Sequence, residues 1–376
     1  MSHKPDRPAY AWAVATMVVI LIAGLWPFRV PLNDVKWLEG ERGLRFGRHG
    51  SILSSSPFPT SDSGEASSGT IELWLKPAQI KGRRTILAFE GSGTSRVPLL
   101  VQQNGDKLIV QRPNVDDDGT LRTSEFALDG VLNEDKHVFV TIALGARATT
   151  VYKDGVLLRT SEPLGRTTRS FTGRLVLGNS PTSSDSWSGE ISGLAIYDRE
   201  LVATRVLEHY QDWVRNCRPA FLQGDQPAAL YLFNEHSGNV VHNQVVSTAE
   251  LIIPQRYFVL RSAFLSPPWR HYHATWSYWE DVGINIVGFI PFGFYWAAYV
   301  STLRSARNVT AATILLGFLI SLLIEVLQAY LPTRDSGMND LITNTLGTSV
   351  GALLHRSCLF RSIMSNRAYY WDRLAP

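Results

Sequence analysis

This sequence has few cysteines, none of the common cofactor-binding motifs and little net charge. Two cysteines among 376 residues, Cys217 and Cys358, are too few for a disulfide scaffold. The sequence lacks a Walker A loop, a His-Glu-x-x-His zinc motif, a dinucleotide fingerprint and a Cys-x-x-Cys pair, so we predict no cofactor from motifs. The formal net charge is only +3, and nothing in its distribution favours a nucleic-acid partner.

Four long apolar runs are present, separated by more polar sequence. They cover residues 11–28, 282–303, 309–331 and 341–354. A membrane-spanning helix needs roughly 17–25 apolar residues, so the first three qualify. The fourth has only 14 residues and is included because a short turn pairs it with the third. We predict four transmembrane helices.

The first run has two interpretations. A cleaved signal peptide would also begin with basic residues, as Lys4 and Arg7 do here. The following GLWPFRVPL lacks a small-x-small cleavage pattern, which favours a retained anchor.

Basic residues in the short flanks predict the orientation, because Lys and Arg are enriched on the cytoplasmic side. They are Lys4, Arg7, Arg304, Arg307, Arg356, Arg361, Arg367 and Arg373. Four spans then place both termini in the cytoplasm of a bacterium, with a multi-pass chain in the inner membrane. Residues 1–28 form the N-terminus and first helix, residues 356–376 form a basic cytoplasmic tail, and the large middle segment is extracytoplasmic.

The middle of the chain has the pattern of an all-β sandwich. Asn104-Gly105 and Asp154-Gly155 each separate two short apolar stretches, which predicts β-hairpins. Residues 69–75 and 137–142 alternate as half-buried strands do. Many such strands within roughly 180 residues predict a sandwich or jelly roll.

Several motifs of this segment resemble the laminin-G, concanavalin A-like jelly-roll family. They are GLRFGRHGSI, SGTIELWLKP, RTILAF, VYKDGVLL and WSGEISGLAIYDREL. The resemblance implies a jelly roll over residues 33–257 that binds a sugar or a protein. The family's usual first strand has its counterpart late, at residues 230–238, so we predict that residues 229–254 fold back as a permuted strand segment.

Two further expectations concern the chemistry of this domain. Glycanases on jelly rolls need clustered carboxylates, whereas Glu72 and Glu190 stand alone in their strands, so we predict no hydrolysis. Asp116, Asp117 and Asp118 are a candidate calcium site. A solvated acidic loop is the favoured interpretation of such a run.

Glu325 is the one charged residue of the third apolar run. A charge at membrane depth costs at least about 2.5–3.5 kcal/mol, so it predicts a functional site. Counting from the helix ends places polar residues of three helices at the same depth, and we predict an outward-opening pocket rather than polar contacts that only bind the helices together. Its residues are Asn285, Glu325, Gln328, Arg334, Asp335, Asp340 and Asn344.

Gly347 and Gly351 form a small-xxx-small pair that predicts close helix packing. Residues 347–351 also match the pattern Gly-x-Ser-x-Gly of a nucleophile elbow. Such an elbow requires a strand–turn–helix, whereas this segment is predicted to be helical. Residues 258–281 read as an interfacial linker with an aromatic belt that includes Trp269, Trp276 and Trp279. His271 and His273 are a weak metal-ligand pattern.

The last third of the chain resembles the VanZ-like family of bacterial membrane proteins, named for a member linked to resistance to a glycopeptide antibiotic. NIVGFIPFGF, SLLIEVLQAYLPTR and NDLITNTLG carry the resemblance. It implies a VanZ-like domain over residues 282–355 in the cell envelope. The jelly roll between the first two helices departs from the minimal family.

Three functions are consistent with these patterns. The first is an envelope protein whose jelly roll binds a polysaccharide or protein and whose pocket binds a lipid or lipid-linked glycan headgroup. The second is an intramembrane enzyme on a lipid-linked glycan, with Glu325 as general base. The third is an assembly factor for exopolysaccharide or other envelope machinery. We favour binding, because no nucleophile–base pair or metal cluster is evident.

Overall fold

The computed structural model of the chain consists of two compact units, Val30–Arg261 and a second formed by Met1–Arg29 with Ser262–Pro376. The structure describes residues 7–58, 68–91, 97–115, 121–164, 171–183, 185–219, 226–246, 248–260, 264–268, 276–303, 308–334 and 336–372. The candidate calcium run Asp116–Asp118, the histidines His271 and His273, and Asp335 lie outside these ranges.

The first unit is a sandwich of two antiparallel eight-stranded sheets. One sheet has the order β1-β2-β13-β4-β9-β10-β11, with β14 also paired to β13. The other has the order β15-β16-β3-β12-β5-β6-β7-β8. The strands are β1 Val35–Trp37, β2 Leu44–Phe46, β3 Ile52–Ser54, β4 Gly69–Pro77, β5 Arg83–Glu90, β6 Leu99–Asn104, β7 Lys107–Val115, β8 Leu121–Leu128, β9 Val138–Leu144, β10 Thr149–Lys153, β11 Val156–Ser161, β12 Arg174–Leu177, β13 Gly189–Tyr197, β14 Ala229–Tyr231, β15 Val240–Val241 and β16 Leu251–Ile252.

Residues 229–252 add strands to both sheets of this sandwich. Strand β14 lies antiparallel to β13, with Leu194 opposite Tyr231. Strand β16 lies antiparallel to β3, with Leu251 opposite Ser54. The buried Tyr231 hydroxyl donates to the Ala249 carbonyl oxygen, which closes the loop between them.

Both predicted hairpins are present, but only one turn has the expected geometry. Asp154 and Gly155 both have positive φ between the paired Lys153 and Val156, as a two-residue type I′ turn requires. At the other hairpin Asn104 pairs with Lys107, so the turn residues are Gly105 and Asp106. Gly105 alone takes positive φ there, which is the pattern of a type II′ turn.

The prediction that residues 137–142 form a half-buried strand was wrong for β9. All seven residues of β9 are buried, because both faces of its sheet are covered. Val140 and Ile142 face the core between the sheets, while Phe139 and Ala143 belong to a second apolar cluster on the outer face. Helix α2, Ala203–Asn216, covers that face and contributes Val206 and Trp213 to the cluster.

A buried carboxylate ties α2 to the sheet. Glu72 on β4 is fully buried, and its Oε1 accepts a hydrogen bond from His209 Nδ1 at 2.8 Å. Its Oε2 accepts from the Tyr197 hydroxyl at 3.0 Å and from Trp213 Nε1 at 3.1 Å. Three donors satisfy the carboxylate, so Glu72 has a structural role and no access to solvent.

The second unit contains helices α1 Arg7–Leu25, α3 Trp276–Leu303, α4 Val309–Gln328 and α5 Met338–Asp372. Within the described residues, three of them are long and apolar enough to cross a membrane, with spans Pro8–Leu25, Tyr278–Leu303 and Val309–Gln328. The fourth predicted run lies within α5. Large apolar side chains remain exposed on these helices, as contact with lipid requires.

Two helices extend past the predicted domain boundaries. Helix α3 begins at Trp276, so residues 276–281 of the predicted interfacial linker are helical. Helix α5 extends to Asp372, so most of the predicted basic tail at 356–376 continues the helix. In both cases the helix continues beyond the predicted apolar run, since backbone hydrogen bonding does not depend on side-chain hydrophobicity.

We predict that Glu72→Ala lowers the stability of the sandwich by about 3–5 kcal/mol, because three buried donors lose their acceptor. Glu125→Ala is the matched control, since Glu125 pairs with Arg83 at a site where both side chains are well exposed, and such pairs contribute about 1 kcal/mol or less. Thermal unfolding of the full-length chain in detergent, followed by the strand signal in circular dichroism, measures both. Equal melting temperatures for the two variants would contradict the structural role of Glu72.

Candidate functional site

Glu325 lies one turn before the end of α4 and is only 1% exposed. Its Oε2 accepts a hydrogen bond from the Gly337 backbone N–H at 2.8 Å. Gly337 immediately precedes α5, so this N–H is one of the donors that a helix start leaves without an intrahelical partner. The carboxylate therefore joins the end of α4 to the beginning of α5.

The connection between these helices is further held by a short parallel segment. Ser266 N donates to the Ser336 carbonyl oxygen and Met338 N donates to the Ser266 carbonyl oxygen, each at 3.0 Å. Leu265 N donates to the Ser336 hydroxyl at 3.3 Å. These bonds fix the backbone that presents the Gly337 amide to Glu325.

Polar side chains of the neighbouring helices bond to one another around Glu325. Asn285 Nδ2 on α3 donates to Asp340 Oδ1 at 3.0 Å. Asp340 occupies the first turn of α5, where the helix dipole favours a negative charge. Asn344 Nδ2, one turn further along α5, donates to the Ser321 hydroxyl of α4 at 3.0 Å.

Two more predicted residues bond to the end of α1. Gln328 Nε2 donates to the Gly24 carbonyl oxygen at 2.7 Å. Arg334 donates to the Trp26 carbonyl oxygen through Nε at 3.1 Å and through a terminal nitrogen at 2.5 Å. The first helix is thus part of the site, where it supplies backbone acceptors rather than polar side chains.

These residues surround a cavity of about 420 Å³ within the helical unit. It is lined by Ile20, Ala23, Gly24, Asp281, Ile284, Asn285, Gly288, Phe289, Ile324, Glu325, Gln328, Arg334, Asp340 and Asn344. Six of the seven predicted pocket residues line this one cavity, and the seventh, Asp335, lies outside the described residues. Such a volume accommodates a lipid headgroup or a sugar ring.

Sequence reasoning missed several participants. Asp281 lines the cavity and precedes Asn285 by four residues, a helical spacing that would have placed both on one face. Ser321 precedes Glu325 by the same spacing. The backbone groups of Gly24 and Gly337 left no signal in the sequence, because any residue type supplies a carbonyl or an amide.

Two buried acceptor atoms of the site have no partner among the residues that the structure describes. They are Gln328 Oε1 and Asn344 Oδ1, on side chains that are 7% and 5% exposed. Among the residues that the structure describes, there is no group of three or more His, Cys, Asp or Glu side chains that could hold a metal ion.

Glycines set the close contact between α3 and α5. A Cβ atom at Gly347 would overlap the Ile286 carbonyl oxygen, and one at Gly351 would overlap the Ile290 carbonyl oxygen. Gly293 on α3 meets the α5 backbone at Thr348 in the same way. This contact holds Asn285 opposite Asp340 at the wall of the cavity.

A second cavity, of about 440 Å³, opens on the sandwich. It is lined by Lys36, Trp37, Leu38, Glu39, Glu41, Arg45, Lys76 and Glu190. Glu190 does not stand free there, because Arg45 donates to its Oε1 at 2.9 Å and Lys76 Nζ lies 3.5 Å from its Oε2. Trp37 also lines this cavity, and its side chain is partly buried against the sandwich core.

Two domain families match the chain. A VanZ/LLP1 model matches residues 228–361, and a concanavalin A-like lectin/glucanases superfamily model matches residues 52–207. The first match begins inside the sandwich and so includes β14, β15 and β16. No curated protein gives a significant match.

The solved structures similar to the chain include the following three. The receptor-binding domain of botulinum neurotoxin mosaic serotype C/D is 14% identical, with 50% of this chain and 46% of that chain covered and a TM-score of 0.38. A Bacteroides ovatus protein described as carbohydrate binding is 11% identical, with 57% and 59% covered and a TM-score of 0.40. The Ruminococcus gnavus IT-sialidase CBM40, bound to α2,3-sialyllactose, is 11% identical, with 44% and 95% covered and a TM-score of 0.32. The chain spans about half the length of the neurotoxin domains it matches.

The fold and the apolar helices define a membrane protein that carries a lectin-like β-sandwich. More particularly, the chain combines a VanZ-like domain at residues 228–361 with a concanavalin A-like jelly-roll domain at residues 52–207, and the jelly roll lies between the apolar helices α1 and α3 in the sequence.

We predict that Gly347→Ala destabilises the helical unit by about 1–3 kcal/mol, because the added methyl group must displace a backbone carbonyl. Gly283→Ala is the control, since a Cβ there meets nothing within 4 Å and alanine favours a helix by roughly 0.5–1 kcal/mol. The helical signal in a thermal melt should fall for the first variant and rise or hold for the second. A melt unchanged by Gly347→Ala would contradict the close helix contact.

Proposed function

We propose that this protein is a bacterial cell-envelope protein of the inner membrane whose helical unit binds the headgroup of a lipid or lipid-linked glycan. In the proposed orientation both termini are cytoplasmic and the jelly roll is extracytoplasmic, as the basic flanks favour. The cavity around Glu325 then opens toward the outside. The jelly roll binds an envelope polysaccharide or protein.

The observation that supports this proposal is a sizeable polar cavity lined by a buried carboxylate. Polar side chains that served only to hold the helices together would pack directly against one another and leave no cavity between the helices. Here Glu325, Asn285 and Asn344 each have a bonding partner, yet a volume of about 420 Å³ remains between them. A polar cavity at membrane depth is expensive and favours an occupant with complementary groups.

The enzymatic alternative has Glu325 as general base on a lipid-linked glycan. A base is effective when a second group activates or stabilises the reacting atoms. The described lining of the cavity offers Arg334 for charge stabilisation and no serine, cysteine, histidine or lysine, and its other ionisable groups are the carboxyl groups of Asp281 and Asp340, of which Asp340 already accepts a hydrogen bond from Asn285. The alternative of an assembly factor needs no cavity at all. Binding therefore has the strongest support.

We predict that Glu325→Ala abolishes retention of a bound lipid or lipid-linked sugar, because it removes a cavity wall and frees the Gly337 amide. Glu325→Gln keeps the shape and one acceptor oxygen, so it should lower retention by no more than about tenfold, which corresponds to 1.4 kcal/mol. Native mass spectra of the full-length protein released from nanodiscs measure both.

The matched control for this experiment is Glu280→Ala, which removes an exposed carboxylate next to the cavity residue Asp281. Retention should equal wild type. If Glu325→Ala retained the same species as wild type, the headgroup site would be refuted. If Glu325→Gln abolished a measurable turnover of lipid-linked glycan while it kept binding, the enzymatic alternative would replace the proposal.

For the jelly roll, we propose that the cavity beside Trp37 is the glycan site. The part of the Trp37 indole that lines the cavity would contact the apolar face of a sugar ring, and Arg45 and Lys76, both paired with Glu190, would donate their remaining N–H groups to hydroxyl or carboxylate oxygens. Trp37 is held in position by its Nε1 donation to the Gly238 carbonyl oxygen at 2.9 Å. Glu190 pairs with both cations.

We predict that Trp37→Ala and Arg45→Ala each weaken binding of the full-length protein to a bacterial envelope polysaccharide array by tenfold or more. Lys107→Ala is the control, because Lys107 is an exposed cation paired with Asp129 at the other sheet. Loss of binding in all three variants would show attraction by charge alone. Unchanged binding in Trp37→Ala would place any glycan site elsewhere.

A further inference from the structure

The helical cavity is bounded by α1, α3, α4 and α5, and specific contacts join three of the four pairs of neighbouring helices at its wall. Gln328 of α4 donates to the Gly24 carbonyl oxygen of α1 at 2.7 Å. Asn344 of α5 donates to the Ser321 hydroxyl of α4 at 3.0 Å. Between α5 and α3, a Cβ atom at Gly347 would overlap the α3 backbone. The cavity wall is therefore held together on its α1–α4, α4–α5 and α3–α5 sides.

The fourth pair, α1 and α3, packs together from Trp12 up to the floor of the cavity. The Trp12 ring stacks on the Tyr295 ring, with centroids 5.6 Å apart. Further along α1, Ile20 belongs to the same buried apolar cluster as Phe289 of α3, and both residues line the cavity. These contacts close the α1–α3 side below the cavity.

Beyond Ile20 and Phe289, the residues that line the α1–α3 side are exposed. Ala23 of α1 and Ile284 and Gly288 of α3 line the cavity and are all exposed, with Ile284 at 61%. A Cβ atom at Gly288 would meet no atom within 4 Å. Residues that line a cavity and are also exposed lie at its opening. We call the opening between Ala23 on one side and Ile284 and Gly288 on the other the α1–α3 gap.

The α1–α3 gap falls within the part of the chain that can cross a membrane. Its residues belong to the candidate spans Pro8–Leu25 and Tyr278–Leu303. Gly288 lies ten residues after Tyr278, which is about 15 Å along a helix. Since the hydrocarbon core of a bilayer is roughly 30 Å thick, the gap connects a polar cavity with hydrocarbon. A ligand with a polar group joined to a hydrocarbon chain matches both environments.

We infer that the ligand enters the cavity sideways from the bilayer through the α1–α3 gap, as an amphiphile whose hydrocarbon chain stays in the gap. This inference rests on the proposed headgroup-binding function. It narrows the ligand to molecules that carry a lipid chain and excludes the same headgroups free in water. It also makes the small side chains of Ala23 and Gly288 determinants of binding, because they leave room for the chain.

The first test compares probes with and without the chain. Full-length protein is placed in nanodiscs that contain phosphatidylethanolamine, phosphatidylglycerol and a polyprenyl phosphate, and native mass spectra identify the species retained. Glycerophosphoethanolamine, glycerophosphoglycerol and inorganic phosphate, the chain-free counterparts, are then added in large excess. We expect retention of at least one chain-bearing species and no displacement of it by the chain-free compounds. Retention of a chain-free compound, or displacement of the lipid by one, would overturn the sideways route.

The second test narrows the gap. Gly288→Phe should lower retention of the lipid at least tenfold, because the ring occupies the gap. Gly283→Phe is the matched control, since Gly283 is also on α3 and also has no atom within 4 Å of a Cβ, but does not line the cavity. Retention by Gly283→Phe should equal wild type. Equal retention by Gly288→Phe and wild type would also overturn the inference, and the comparison of probes in wild type needs no variant to fold.

The two proposals fail separately. If Glu325→Ala lost the retained species while Gly288→Phe kept it, the headgroup site would stand and the sideways route would fall. If Glu325→Ala changed the retention of no probe, both would fall.

Discussion

The need to satisfy one buried carboxylate organises the helical unit. Glu325 is surrounded by apolar helix, and its bond to the Gly337 amide places the start of α5 against the end of α4. That placement brings Asn344 to Ser321 and Asp340 to Asn285, so each helix contributes a polar group at the same level. Asn285, Glu325, Asp340 and Asn344 of this layer line the cavity of about 420 Å³.

The two units bury an acid in contrasting ways. In the sandwich, Glu72 receives donors from Tyr197, His209 and Trp213, and no space is left around it. In the helical unit, Glu325 has a backbone donor and lies beside a cavity, and the described residues supply no donor to the nearby acceptors Gln328 Oε1 and Asn344 Oδ1. A saturated carboxylate has a structural role, whereas an open polar layer is suited to a ligand.

Sequence periodicity predicted most elements but not what covers them. The alternation around β9 indicated one exposed face, and only the position of α2 shows that both faces are buried. The turn at Asn104 was expected from a dipeptide preference, yet the register with Lys107 moves the turn by one residue. Family matching has a similar limit, since the VanZ/LLP1 match begins at residue 228 while the structure pairs β14 and β16 with the sandwich.

By itself, the sequence predicted the two fold classes, three of the apolar helices that could span a membrane and six residues of the candidate site. It did so because a charge in an apolar run, turn dipeptides and helical spacing are local properties. Only the tertiary structure decided which hydrogen-bond donors have a partner within the protein. The acceptors for Gln328 and Arg334 are backbone carbonyl groups of Gly24 and Trp26, about three hundred positions away in the sequence. Side-chain type gives hydrogen-bonding capacity, but what remains for a ligand depends on what the fold has already bonded.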